Sequence, residues 1–200
     1  GREFPTPYFV QYGQDYAGAI DDYVYLVSTD GGWNNWNGMK LARVPREKFA
    51  HLDLADWQFF VKSDPDGGNP IWTLDVNAAG RIFQHRGYTG MTGVQYVPAV
   101  KRFIMGQWSY IRVKDQFDST DLCPEPWPWQ QDDPRYHTHD ETMLCLYEAP
   151  HPWGPWRWFH VQDNWGPAFY SPNFPSKWFE DGGRRMWIVQ AGNYRDRGQQ

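Results

Sequence analysis

Residues Leu146–Phe159 read LYEAPHPWGPWRWF, two runs of strand-forming residues separated by prolines at 150, 152 and 155 and a single glycine at 154. Pro152 and Pro155 restrict φ and Gly154 permits a positive φ, so the Pro-Trp-Gly-Pro centre predicts a tight turn between two antiparallel strands. Trp156 and Trp158 would then share one face of the second strand at period two. The competing reading is an aromatic platform for a sugar. The turn reading accounts for the residues without a ligand, and it has a counterpart upstream, where LARVP (Leu41–Pro45) precedes WQFF (Trp57–Phe60). A strand ending in Pro, a connection and an aromatic strand therefore occur twice.

Working outward, the repeat lengthens to four strands. Ahead of the first pair stand PYFVQYG and DYVYLVST, and ahead of the second stand GMTGVQYV and KRFIMGQW. A third start is visible in YSPNFPSKWFEDGGRRMWIVQAG. Helical periodicity is nearly missing, and PREKFAHLDLADW is the one stretch that could hold a helical turn. The expected fold class is all-β, a β-propeller of four-stranded antiparallel blades. One partial propeller domain spans 1–200, with a first blade at about 7–62, a second at about 81–162 and the start of a third at about 169–192.

Composition narrows the function classes. The 24 acidic and 19 basic residues give a net charge of −5 and are interspersed, so no basic stripe offers a nucleic acid its counterion release. No window approaches the length of an apolar membrane span, which leaves neither nucleic acid nor membrane as an expected partner. Thirteen Trp, twelve Tyr and twelve Phe exceed what a core of this size needs, so some rings are expected to face a ligand. Cys123 and Cys145 allow one bridge in an oxidising compartment, but no disulfide framework and no CxxC motif. No address is legible, and a secreted or cell-surface setting is the expectation.

YVYLVS with LARVP, GMTGVQYVPAVKRFIM, LYEAPHPWGPW, and SPNFPSKW with DGGRRMWIV resemble an initially uncharacterised group of five-bladed β-propellers. That group is related in fold to arabinanase and β-xylosidase type glycoside hydrolases, and some members cleave D-arabinan. The resemblance runs from about Pro7 to Gly192 and implies glycoside hydrolysis of an arabinose-containing or similar polysaccharide, without a cofactor. It also implies preceding blades, with a catalytic Asp in an opening strand, that have no counterpart in this chain. A noncatalytic carbohydrate-binding propeller and an interaction scaffold are the alternatives.

In such a propeller the ligand face is built from the loops between second and third strands and from those entering each inner strand. This selects Ser28–Gly38, Leu74–Gly90, Gln107–Glu141 and Gln162–Asn173, and assigns Asp21, Asp22, Glu180 and Asp181 to structural turns at the opposite end. Glycoside cleavage needs two carboxyl groups, and the candidates are Asp15, Asp75, Asp140 and Asp163, although a solvated or turn-capping Asp is the plainer reading of each. Trp33 and Trp36, with Asn34 between them, form the best sugar platform. His85, Arg86 and Lys177 are further substrate-binding candidates, with a packed His and solvated cations as the alternative. Trp127, Trp129 and Tyr136 are expected to pack within their own insertion. The HTHD stretch (137–140) has metal-ligand character, but a lone H-x-H is too little to assign a metal.

Overall fold

The computed structural model describes residues 3–33, 36–110, 141–167 and 169–192. The chain is all-β. Its strands are β1 (Tyr8–Gln11), β2 (Tyr23–Thr29), β3 (Trp36–Pro45), β4 (Gln58–Lys62), β5 (Ile71–Thr73), β6 (Phe83–Thr89), β7 (Val94–Val97), β8 (Arg102–Tyr110), β9 (Glu141–Ala149), β10 (Arg157–Pro167), β11 (Tyr170–Asn173) and β12 (Val189–Ala191), joined in several places by short 3-10 turns.

Two antiparallel meanders make up most of the structure. In the first, β1, β2, β3 and β4 pair in order and β5 extends the outer edge; in the second, β7, β8, β9 and β10 pair in order. The meanders join through their opening strands, which run parallel, with Val10 opposite Val94 and Gln11 opposite Gln95. Both residue pairs come from the repeated Val-Gln-Tyr of the sequence. β2 and β8 consequently occupy corresponding places, each second from the joint. β11 and β12 form a separate hairpin.

Side-chain alternation explains how these sheets stack. On β8 and β9, Phe103, Met105, Met143, Cys145, Tyr147 and Ala149 point toward the first meander, where they meet Tyr25, Val27, Met39 and Leu41 in the main core. The intervening residues Ile104, Trp108 and Leu144 face the other way, into clusters with Phe174, Ile188, Phe169 and Tyr170 around the β11–β12 hairpin. A sheet buried on both faces must be apolar at successive positions, as Phe103–Met105 and Met143–Leu146 are. Burying each such side chain is worth roughly 1.5–3 kcal/mol, so the central sheet holds its neighbours on both sides.

Two expectations change and one is met. Leu74–Gly90 is not an open loop: a 3-10 turn at Val76–Ala78 is followed by β6, which pairs with the start of β3. β4 reaches only Ala42 and Arg43, leaving the edge of Trp36–Met39 for β6 to take. The helical turn expected in PREKFAHLDLADW is present as two 3-10 turns, Arg46–His51 and Leu54–Asp56, the second capped by Asp53. Trp156 and Trp158 do not share a strand face, because Trp156 precedes β10 and is buried whereas Trp158 is exposed.

The Pro-Trp-Gly-Pro segment itself is a turn. His151 bridges Gly154, Gly154 has φ of 103°, and the Trp153 Nε1–H donates to the Gly67 carbonyl at 2.8 Å.

Candidate functional site

The loop from β2 to β3 is braced at its base. The nearly buried Asp30 carboxylate accepts the backbone N–H groups of Asn37 and Gly38, each at 3.2 Å, and pairs with Arg81 at 2.6 Å. Thr29 Oγ1 donates to the Gly32 carbonyl, and the Met91 N–H donates to the Trp33 carbonyl at 2.8 Å. Trp36 lies against the backbone of Gly31 and Gly32. On this base the Trp33 ring leans on Trp108 at 5.5 Å and Tyr170 at 6.1 Å between centroids.

Trp33 and Trp36 are 47% and 37% exposed, whereas Trp108 is buried and donates its Nε1–H to the Met91 carbonyl. Both indoles of the loop are thus held at their base and remain partly in water. Such rings offer flat apolar area at little entropic cost, the surface on which the C–H face of a sugar stacks. Asn34 lies outside the described residues.

Of the four carboxylate candidates, the side chains of Asp15 and Asp75 are described. Asp15 is exposed in the turn after β1, with φ of 54°. Asp75 is a turn-capping residue whose carboxylate accepts the backbone and side-chain N–H groups of Asn77 at 2.9 Å. One follows β1 and the other follows β5, the opening and closing strands of the first meander. Asp163 is on β10, within an irregularity of register between Gln162 and Gly166. Asp140, like the rest of HTHD and the Trp127–Tyr136 segment, lies outside the described residues, as does Cys123. Asp21 is structural as expected, accepting the Tyr23 N–H and the Tyr25 hydroxyl.

His85 is enclosed rather than offered to a ligand, which corrects its place among the binding candidates. It is fully buried on β6, stacks on Tyr88 at 5.1 Å, and sets its Nδ1 3.2 Å from the Tyr147 hydroxyl. Burial pushes its pKa down to about 3, so the imidazole is neutral. Arg86 follows it on β6. Lys177 is exposed, with its ammonium 4.9 Å from the Trp178 ring centroid.

Lys177 also lines a cleft of about 290 Å³ where β1, β7 and β11 meet. Gln11, Gln95 and Asn173 line it as well, and none of the three was singled out from the sequence. A signal was present: Val-Gln-Tyr recurs at 10–12 and 94–96, and Ser-Pro-Asn-Phe at 171–174 again sets an amide before an aromatic.

No group of His, Cys, Asp and Glu among the described residues could hold a metal ion, and no helix among them is long and apolar enough to cross a membrane. No family model matches the chain, and no curated protein matches it.

Proposed function

We propose that this chain is part of a β-propeller related to glycoside hydrolases and that it engages an arabinose-containing or similar polysaccharide through the loop bearing Trp33 and Trp36. Two observations favour blades. Strands within each meander are antiparallel, whereas the opening strands of the two meanders are parallel, the relation expected of neighbouring blades whose inner strands all run along one axis. The β11–β12 hairpin lies on the far face of the second meander, where a following blade would begin. Further blades would complete the ring.

The observation that carries the binding reading is the partial exposure of two indoles in one braced loop, Trp33 against Tyr170 and Trp36 against Gly31 and Gly32. The test is titration of soluble arabinan and xylan oligosaccharides into the chain and into its Trp33→Ala/Trp36→Ala variant. Each anchor is expected to contribute more than ~1 kcal/mol, so the double variant should bind at least ~25-fold more weakly. Unchanged affinity in a folded variant defeats the reading.

Hydrolysis is the second reading, favoured by the resemblance of LYEAPHPWGPW and SPNFPSKW to arabinan-cleaving propellers. Asp75 is engaged in capping the turn at Asn77, and Asp15 is exposed in the turn after β1. Reducing-sugar release from D-arabinan, with Asp15, Asp75, Asp140 and Asp163 changed singly to Asn, tests it. Turnover that no Asn variant lowers excludes these residues from catalysis.

A further inference from the structure

We infer that the cleft between β1, β7 and β11 is a second saccharide subsite, one that grips the hydroxyls of a single sugar residue with amide oxygens and a lysine. It rests on the polysaccharide reading above, but it uses none of the residues of the tryptophan loop. Gln11 closes β1, whereas Trp33 and Trp36 stand where β2 ends and β3 begins, beside the first residues of β1.

The amides are oriented by what they already bind. The Gln95 side chain is buried, and its Nε2 donates to the Gln11 carbonyl at 3.2 Å and to the Tyr96 carbonyl at 2.8 Å. Because two carbonyls can be answered only by N–H groups, the amide cannot be turned over. Its Oε1 is the atom left to accept, and among the described residues no donor reaches it. Asn173 repeats the arrangement, with Nδ2 donating to the Ser171 carbonyl at 2.9 Å. Its Oδ1 sits over Gly93, where a Cβ would come within 2.4 Å, so a glycine is what lets the amide reach this position. Gln11 stands beside Gln95 in the parallel register and is exposed.

The cleft thus presents acceptors from its strands and is bounded, after β11, by Ser176 and Lys177, residues whose hydroxyl and ammonium can donate. A simple anion is disfavoured by the amide oxygens, and a metal ion by the neighbouring ammonium. A hydroxyl both donates and accepts, so a vicinal diol satisfies both sets at once. At about 290 Å³ the cleft has room for one sugar ring.

The experiment is an NMR titration of the 200-residue chain with L-arabinose, D-arabinose and D-xylose, and separately with calcium chloride, following the backbone amides of Gly93 and Asn173. It is repeated with Gln11→Ala and Lys177→Ala, two exposed positions whose loss leaves the core intact. Saturable shifts are expected for at least one pentose, with each variant binding it at least ~5-fold more weakly, the loss of one hydrogen bond of ~1 kcal/mol. Pentose binding that both variants retain overturns the subsite, as does a response to calcium alone. Oligosaccharide binding that depends on the tryptophans, with no pentose response at Gly93, also overturns it and leaves the loop reading standing. A pentose bound here by a chain that ignores polysaccharide supports the subsite and removes the loop reading instead.

Discussion

The two meanders share a strand order and differ in how their outer faces are covered. On the first, buried Ser28 and Lys40 are answered by the segment before β1: Ser28 Oγ accepts the Thr6 N–H at 3.0 Å, and the Lys40 ammonium meets Glu3 at 2.8 Å. Phe4 adds an edge contact to Phe59 at 6.0 Å. On the second, Ile104, Trp108 and Leu144 are answered by rings and aliphatic groups of the β11–β12 region. One cover is a single strip of chain fastened through polar groups; the other is an apolar seam. A polar fastening sets position and responds to pH and salt, whereas an apolar seam carries most of the free energy.

The largest expected effect lies in the seam. Leu144→Ala should destabilise by ~2–5 kcal/mol, read as a lowered urea midpoint with unchanged slope. A cost no greater than that of losing the Glu3 contact would erase the distinction between the two covers.

The next effect sharpens the account of the face where the meanders meet. Native His85 stays neutral until about pH 3, while in the unfolded chain it gains a proton near pH 6.5. The unfolded state therefore binds more protons below pH 6.5, and stability falls by up to ~1.4 kcal/mol per pH unit from there toward pH 3. His85→Phe removes this term, so between pH 6.5 and 5 the variant should lose about 2 kcal/mol less than the parent. Equal losses would mean that the imidazole is not sealed.

Glu3→Gln should have the smallest effect. Lys40 holds the Glu3 carboxyl below its ordinary range, so the contribution is present at neutral pH and disappears as pH falls through that lowered value. The variant should match the parent in strong acid and lie slightly below it at pH 7, by a margin that shrinks in high salt. A pH-independent difference would show that the strip is held by Phe4 and Thr6 rather than by charge.

The strands easiest to read were those whose environment is written in their own residues. DYVYLVST, TMLCLYEA and the Pro-Trp-Gly-Pro turn combine β-branched or apolar runs with residues that fix φ, and β2, β9 and the 150–156 connection lie there. β6 was hidden because FQHRGYT looks like a polar loop. What makes it a strand is the vacant edge of Trp36–Met39, supplied by a segment more than 40 residues away. The burial of His85 depends similarly on Tyr147, 62 residues along the chain. At the candidate sites, the indoles of the β2–β3 loop were legible from their polar neighbours, and the amide cleft was not. A single Gln in a strand carries no sign of which of its atoms will be occupied.

The bond from Trp153 to the Gly67 carbonyl has a practical bearing on where this chain can be lengthened. Loop tips ordinarily accept inserted sequence, and residues 63–70, with their Asp, Gly and Pro, look like a natural entry point. That tip is instead a seat: Trp153 lands on it, Pro155 and His151 crowd Gly67, and Trp153 in turn reaches Tyr25 at 6.4 Å in the core. An epitope tag or grafted peptide placed there would pry at the rim of both meanders. The stretch around Leu52 and Leu54, which are exposed and follow a 3-10 turn with no buried residue, is the more permissive splice point.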